Sequence, residues 1–211
     1  MKSSFKVLLA AALLFCSSLS TYAQFENNRE TSRFHFGIRA GLSSNTFTGD
    51  GAEGIDPLVA FTGGLAFDIQ LAQVPVFIGF GVNYLNEGYK YKYSYRDINY
   101  GSYSYDGKQD ISAIHIPLVF GYHFNLSPNF FISPYVGGFT SYSVENLDED
   151  KDWNDDRFNY GLRFGLGLNF GRLTFDAAYD LGLKNVLDDR HYTAKTGTFF
   201  VTLGVNLAGC R

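Results

Sequence analysis

The sequence predicts an all-β chain that closes into one eight-stranded, antiparallel, up-and-down transmembrane β-barrel behind a cleaved signal peptide, and three observations carry this prediction. Eight segments alternate apolar with polar or small residues at a period of two, each over about the 9 to 11 residues that a tilted strand needs to cross a bilayer. The connections between them run long, short, long, short, long, short, long. An outer-membrane barrel sorts its turns and loops to opposite sides in this way, and an even strand number brings both chain ends to the short-turn side. The third observation is a hairpin, Tyr160 to Leu183, that can be registered residue by residue.

In that hairpin Gly171 and Arg172 form the turn, because a two-residue loop with Gly first suits a type II′ turn, whose positive φ only Gly takes without strain. Phe170 then pairs with Leu173, Leu168 with Phe175, Leu166 with Ala177, Phe164 with Tyr179, Leu162 with Leu181 and Tyr160 with Leu183, an apolar or aromatic face throughout. On the other face Asn169 meets Thr174, Gly167 meets Asp176, Gly165 meets Ala178, Arg163 meets Asp180 and Gly161 meets Gly182. A hairpin this long with one apolar face must cover it with lipid or with a core.

At the start of the chain, Lys2 and Lys6 flank the apolar run Val7 to Phe15, which ends in Thr21-Tyr22-Ala23 before Gln24. The run is too short to span a bilayer, and small residues at the third and first places before Gln24 suit cleavage after Ala23. Residues 1–23 are therefore read as a signal peptide and 24–211 as the barrel domain. Cys16 is not read as a lipidated residue, since bulky Phe15 precedes it, and Cys210 alone gives no disulfide framework. Without Lys2 and Lys6 the 17 basic residues fall to 15 against 21 acidic ones, a formal charge of −6 that gives no electrostatic reason to expect nucleic acid. Aromatic residues at 18% and 23 glycines are high for a soluble domain, and no later segment has an apolar run of transmembrane-helix length. Any crossing is made by strands.

Taken in order, the first strand, Phe34 to Leu42, alternates Phe34, Phe36, Ile38, Ala40 and Leu42 with His35, Gly37, Arg39 and Gly41. A long polar loop, Ser43 to Pro57, leads to the second strand, Val59 to Leu71, with Phe61, Leu65, Phe67, Ile69 and Leu71 opposite Thr62, Gly64, Ala66, Asp68 and Gln70. After a turn at Ala72 to Pro75, the third strand sets Val76, Ile78, Phe80, Val82 and Tyr84 against Phe77, Gly79, Gly81 and Asn83, and its change of register near Glu87-Gly88 suggests a bulge. Tyr89, Tyr91, Tyr93 and Tyr95 then alternate with Lys90, Lys92, Ser94 and Arg96 before the turn-rich stretch Asp97 to Asp110, which reads as a hairpin protruding beyond the sheet. The fourth strand, Ile111 to Phe124, points Ile114, Ile116, Leu118, Phe120, Tyr122 and Phe124 one way and His115, Pro117, Val119, Gly121 and His123 the other. A short turn, Asn125 to Asn129, precedes the fifth strand, Phe130 to Val144, whose faces are both partly aromatic through Phe131, Tyr135 and Phe139. The acidic loop Glu145 to Phe158, the registered hairpin, the loop Lys184 to Lys195 and an eighth strand, Thr196 to Leu207, complete the chain. A soluble sandwich has no reason to sort its loops by length, and closure removes the unpaired edges of the first and last strands.

Two patterns, Ile114-His115-Ile116-Pro117-Leu118 and Tyr179-Asp180-Leu181-Gly182-Leu183-Lys184-Asn185, together with the first strand through Gly37 and Gly41, resemble the PorT-like outer-membrane β-barrel family of the Bacteroidetes. The resemblance spans nearly all of the mature chain. It implies an eight-stranded barrel in the outer membrane and, for some members, a part in secretion or gliding machinery. The chain departs from the family pattern at His115, where an acid is frequent, and at its end, where Leu207 and Ala208-Gly209-Cys210-Arg211 replace the usual terminal aromatic.

Facing away from lipid are Arg39, Asp68, Arg163, Asp176 and Asp180, with His35, His115 and His123. An eight-stranded lumen leaves room for side chains and little else, so these charges read as an ion-pair network rather than as a conduit. The histidines carry no metal-site spacing, since His115 and His123 stand near opposite ends of one strand. Asp148, Asp150 and Asp152 have the spacing of a calcium loop's first ligands, but Trp153 stands where that loop needs Gly and Asn159 where it needs Glu, so a solvated acidic loop is expected. His191, with Asp188 and Asp189, accompanies no nucleophile motif, and no catalytic residue, metal or cofactor is assigned. The tyrosine ladder, Tyr89, Lys90, Tyr91, Lys92, Tyr93, Tyr95 and Arg96, is the candidate contact surface, suited to stack on sugars or hold lipopolysaccharide phosphates, against the plainer reading of a self-packed hairpin.

The expected protein is thus a monomer in outer-membrane lipid, structural or partner-binding, whose partners are lipopolysaccharide or other envelope proteins. The competing readings are a soluble periplasmic barrel of lipocalin type with an apolar ligand inside, which needs Phe164, Leu166 and Leu168 in the lumen, and a narrow pore. Cell fractionation separates the first two. The membrane barrel leaves the membrane fraction only in detergent, whereas recovery in the soluble periplasmic fraction selects the lipocalin type.

Overall fold

The computed structural model describes residues 34–49, 55–71, 74–97, 101–144, 157–185 and 195–208. The expected signal peptide with Cys16, most of the acidic loop with Asp148, Asp150, Asp152 and Trp153, the Asp188-Asp189-His191 segment and Cys210 lie outside the described residues.

Among the described residues twelve strands form, β1 (Phe34–Thr48), β2 (Ile55–Asp56), β3 (Leu58–Gln70), β4 (Val76–Asn86), β5 (Tyr89–Asp97), β6 (Gly101–Gln109), β7 (Ser112–Tyr122), β8 (Phe124–Ser127), β9 (Phe130–Ser143), β10 (Phe158–Phe170), β11 (Leu173–Gly182) and β12 (Lys195–Ala208). Eight of them make the barrel, in the order β1-β3-β4-β7-β9-β10-β11-β12, and β12 pairs back onto β1 to close it. Every neighbouring pair is antiparallel, so no barrel strand leaves a row of unpaired backbone groups facing lipid. The hairpin register is the one read from the turn, from Phe170↔Leu173 to Gly161↔Gly182, with Arg163 opposite Asp180. Gly171 has φ +58°, the left-handed conformation that its place in the turn demands.

Four boundaries differ from expectation. The first strand runs on to Thr48, because its ladder with β12 continues from Leu42↔Val201 to Thr48↔Lys195 after the apolar alternation has stopped. The expected fourth strand breaks at His123, whose backbone N–H turns to the carbonyl of Pro75, 2.7 Å away. Phe124–Ser127, of which Asn125 onward was read as a turn, instead forms β8 on β9, and the turn itself is Pro128-Asn129. At Glu87-Gly88 the chain leaves the barrel rather than bulging within it. It forms β5 and β6, which pair through nine residues each from Tyr89↔Gln109 to Asp97↔Gly101 and share a separate three-stranded sheet with β2.

The pleat sorts the faces as a lipid-embedded barrel requires. Phe164 and Leu166 point outward, 44% and 43% exposed, along with Ile38, Phe61, Leu118 and Leu203, while Arg163, Asp176 and Asp180 are buried inside. The lipocalin-type reading places Phe164 and Leu166 within, and the structure places them without. Phe131, Tyr135 and Phe139, which blurred the fifth strand, all take inward positions on β9.

Inward glycines make the lumen fit its contents. Tyr135 lies against Gly165 so closely that a Cβ there would stand 2.1 Å from the phenol Cζ, whereas a Cβ on Gly167, one inward position further along, would meet nothing nearer than 3.5 Å. Gly165→Val should therefore displace Tyr135 and lower stability by roughly 1 to 3 kcal/mol or more, the ordinary range for overpacking. Gly167→Ala should leave it within about 0.5 kcal/mol. Urea unfolding of both variants in detergent micelles measures the contrast, and equal losses would show that the tyrosine is not held by this contact.

Candidate functional site

The lumen is filled in layers. Nearest the short-turn end, His123 stacks on Phe77 at 4.3 Å and meets Phe131 and His35 edge-on at 5.0 and 6.0 Å. Its Nδ1 lies 2.8 Å from Ser133 Oγ, which also accepts from Asn169 Nδ2 at 3.1 Å. Thr174 donates to Asn169 Oδ1 at 2.8 Å, and Asn206 donates to Thr174 at 3.2 Å, so four barrel strands are tied by neutral hydrogen bonds.

The middle layer is charged. Tyr135 donates to both oxygens of Asp176 at 2.9 and 3.0 Å, and Arg39 lies 3.6 Å from Asp176 and 3.6 Å from Asp68. These residues line a cavity of about 60 Å³ together with Asn83, Ser133 and Thr202. At the Arg39–Asp68 pair the side chains are 22% and 21% exposed. Ser43, Asn45, Leu58 and Thr62, which lie on the same two strands towards the loop end, are all buried.

The next layer seals the barrel. Arg163 Nη1 donates to both oxygens of Asp180 at 2.9 and 3.0 Å, and His115 Nε2 donates to Asp180 Oδ2 at 2.7 Å. The guanidinium of Arg163 lies over Phe200, 4.6 Å from the ring centroid, and His115 stacks on Phe139 at 5.4 Å. A charge in such a place is held by its partners, because an unpaired ion costs several kcal/mol to strip of water. Leu58, Leu85 and Ala113, each 2% exposed or less, close the mouth above.

The five lumen charges expected from sequence therefore fall into two groups, a loosely paired one beside the cavity around Arg39 and a sealed one around Asp180. Of the three histidines, His35 and His123 come together at one end, while His115 belongs to the seal, and no group of three or more metal-ligating side chains occurs among the described residues. The two patterns that carry the family resemblance meet here, since His115 comes from Ile114–Leu118 and Asp180 from Tyr179–Asn185.

Sequence reasoning missed Glu87. It stands just past the end of β4, on the inward parity of Leu85, and its carboxyl accepts a hydrogen bond from Ser141 Oγ, a side chain buried in the wall. Burial pushes this carboxyl above the ordinary carboxylate range, the Ser141 hydroxyl pulls it back down, and the charge of Asp180 raises it again. The parity of β4, carried two residues further, was the available signal. In β5 the side chains of Tyr89, Tyr91, Lys92, Tyr93, Tyr95 and Arg96 lie outside the described residues, and Lys90 is exposed. The backbone register pairs Tyr93 with Tyr105 and Tyr95 with Tyr103, so these four positions share one face of the ribbon.

A family model described as outer membrane protein beta-barrel domain matches residues 22–188. No curated protein matches the chain. Among solved structures, the chain is similar to Ail, the attachment invasion locus protein of Yersinia pestis, in complex with the heparin analogue sucrose octasulfate, at 15% identity and a TM-score of 0.42 over 83% of this chain and 99% of that one. Similar likenesses link it to Neisserial surface protein A, at 15% identity and a TM-score of 0.41 over 82% and 97%, and to the outer membrane protein OprG from Pseudomonas aeruginosa, at 16% and 0.40 over 84% and 97%.

The sealed layer makes a quantitative prediction. Arg163→Met should leave the Asp180 carboxylate with His115 alone and cost about 3 to 5 kcal/mol. Adding Asp180→Leu should recover part of that loss, though not all, because His115 Nε2 then has no acceptor. A double-mutant cycle from urea unfolding in micelles should give a coupling of roughly 1 to 3 kcal/mol between the two positions, and strictly additive losses would mean that the pair contributes nothing.

Proposed function

The chain belongs to the outer membrane protein β-barrel domain family, and from that premise we propose that its sealed barrel is a base in the bacterial outer membrane for an outward contact surface, the β5–β6 hairpin, which engages lipopolysaccharide. The observation that carries this reading is the nine-residue ladder of β5 and β6, which leaves the barrel rim and forms a sheet of its own with β2. A ladder that long contributes nothing to closing the barrel. Its composition suits the exposed sugars and phosphates of an outer leaflet, with tyrosines recurring at 89, 91, 93, 95, 103 and 105 and the cations Lys90, Lys92, Arg96 and Lys108 interleaved.

On this reading the signal peptide exports the chain, the barrel works as a monomer, and no catalysis takes place. The Arg163–Asp180–His115 layer supports a closed lumen, so recognition falls to the rim and not to a pore. The PorT-like resemblance suggests service to secretion machinery, with the hairpin as the part that a machine component would meet. A protein partner for the hairpin in place of lipopolysaccharide is an outcome that the same experiment detects.

Replacing 89–109 with a short Gly-Ser linker should leave a heat-modifiable barrel in the membrane fraction and reduce binding of purified lipopolysaccharide to background. If lipopolysaccharide binding is unchanged while capture of another envelope protein is lost, the surface is a protein-contact surface. If the variant no longer inserts, the segment is structural and the contact reading fails.

A further inference from the structure

The hairpin is joined to the barrel by a corner that reaches into the lumen. Asn86 ties it to three places at once: its carbonyl accepts from Asn45 Nδ2 on β1, its Oδ1 accepts from Gly88 N at 2.9 Å, and its Nδ2 donates at 3.0 Å to Oδ1 of Asp110, just past the end of β6. Glu87 N donates to the carbonyl of Ile111 at 2.7 Å, and Lys108 pairs with Asp110 at 2.8 Å, which completes the root. Between these ties the Glu87 side chain turns inward and ends on Ser141 Oγ. Ser141 is the register partner of His115, whose Nε2 is bound to Asp180. The groups that act on the Glu87 carboxyl are thus Ser141 from β9, which donates to it, and Asp180 from β11, whose charge reaches it and whose own partners are His115 from β7 and Arg163 from β10.

We propose that Glu87 is a pH-dependent clasp, seating the root of the β5–β6 hairpin in the barrel mouth while its carboxyl carries a proton and releasing it when that carboxyl ionises. The geometry supplies the reason. Arg163 is already committed to both oxygens of Asp180, so an ionised Glu87 meets the Ser141 hydroxyl and the like charge of Asp180. Burial pushes the carboxyl upward first, the Ser141 bond opposes this, and Asp180 adds to the rise. A carboxyl that binds its proton more tightly when seated favours the seated state below the ordinary carboxylate range and loses that preference as pH rises through the raised value. The hairpin is accordingly held in acid and freed in alkali. This claim concerns how the hairpin is attached and stands whether or not lipopolysaccharide is what it binds.

Limited trypsin digestion of the full-length protein in micelles tests it, because Lys90, Lys92, Arg96 and Lys108 offer cleavage sites within the hairpin. Glu87→Gln keeps a neutral side chain at every pH, and Glu87→Ala removes the clasp. Referring each wild-type rate to both variants at the same pH cancels the protease's own pH dependence. The wild type should be cut like Glu87→Gln near about pH 5 and approach Glu87→Ala near about pH 9, with a change of about threefold or more in the ratio to Glu87→Gln. Heat-modifiability at each pH reports that the barrel stays folded. A wild type that follows Glu87→Gln at every pH overturns the proposal, as does equal cleavage of Glu87→Gln and Glu87→Ala. Should Glu87→Gln fail to insert, the ratio of wild type to Glu87→Ala must still rise towards one with pH, and a constant ratio overturns the proposal.

Discussion

The carboxylate of Asp180 is the group on which the interior depends. A closed eight-stranded ladder leaves a lumen about wide enough for side chains alone, and a charge placed there has little water to fall back on. Asp180 is 2% exposed and is held from two directions, by Arg163 of the neighbouring strand and by His115 from across the barrel. Each partner is fixed in turn by an aromatic face, Arg163 by Phe200 and His115 by Phe139. Because the three residues come from β10, β11 and β7, the layer pins distant walls together, and the rings that fill the lumen beside it need glycine next to them, Phe139 at Gly161 and Tyr135 at Gly165.

The consequence is an interior of unequal halves. In the middle layer Arg39 is shared between two carboxylates at 3.6 Å and neither of these contacts is tight. Around Asp180 the partners are buried and bonded at 2.7 to 3.0 Å. A chain that invests its charged residues in a plug leaves recognition to its rim, and there one extension is long and regular enough to matter. The ladder of β5 and β6 is as regular as the barrel strands although no lipid-facing alternation requires it.

How much of this was legible in the sequence depends on range. The β10–β11 register could be read because Gly171 fixes a two-residue turn, and every pair, Arg163 with Asp180 included, follows from counting outward. The meeting of His115 with Asp180 could not be read that way. Parity shows that both point inward, but β7 and β11 are separated by β9 and β10, so their relative height depends on the stagger summed over three pairings. Strand ends were misread for another reason. Alternation marks the part of a strand that faces lipid, while backbone hydrogen bonding continues beyond it, as β1 does from Ser43 to Thr48 against β12. The protruding hairpin was legible, but the length of its second strand was not, because the Ser-Tyr-Gly composition of residues 101–109 resembles a turn and yet pairs as a strand. Glu87 is hard to read from sequence because the apolar alternation of β4 ends before it, although the inward parity continues.

The two sequence patterns that gave the family resemblance have a physical explanation that bears on what such patterns mean. One supplies His115 and the other Asp180, and the two touch at 2.7 Å inside the plug. His115 stands where the resembled family frequently has an acid, so its bond to Asp180 is a feature of this chain, and the resemblance speaks for the fold and leaves the task open. A second place for individuality is where the plug ends and the rim begins, and here that boundary is one corner, Asn86-Glu87-Gly88. Its backbone leads out into the hairpin, and its one acidic side chain leads back through Ser141 towards His115 and Asp180. A barrel interior that can hold a charge only when it is paired thereby extends its constraint to the root of the surface that meets the outside.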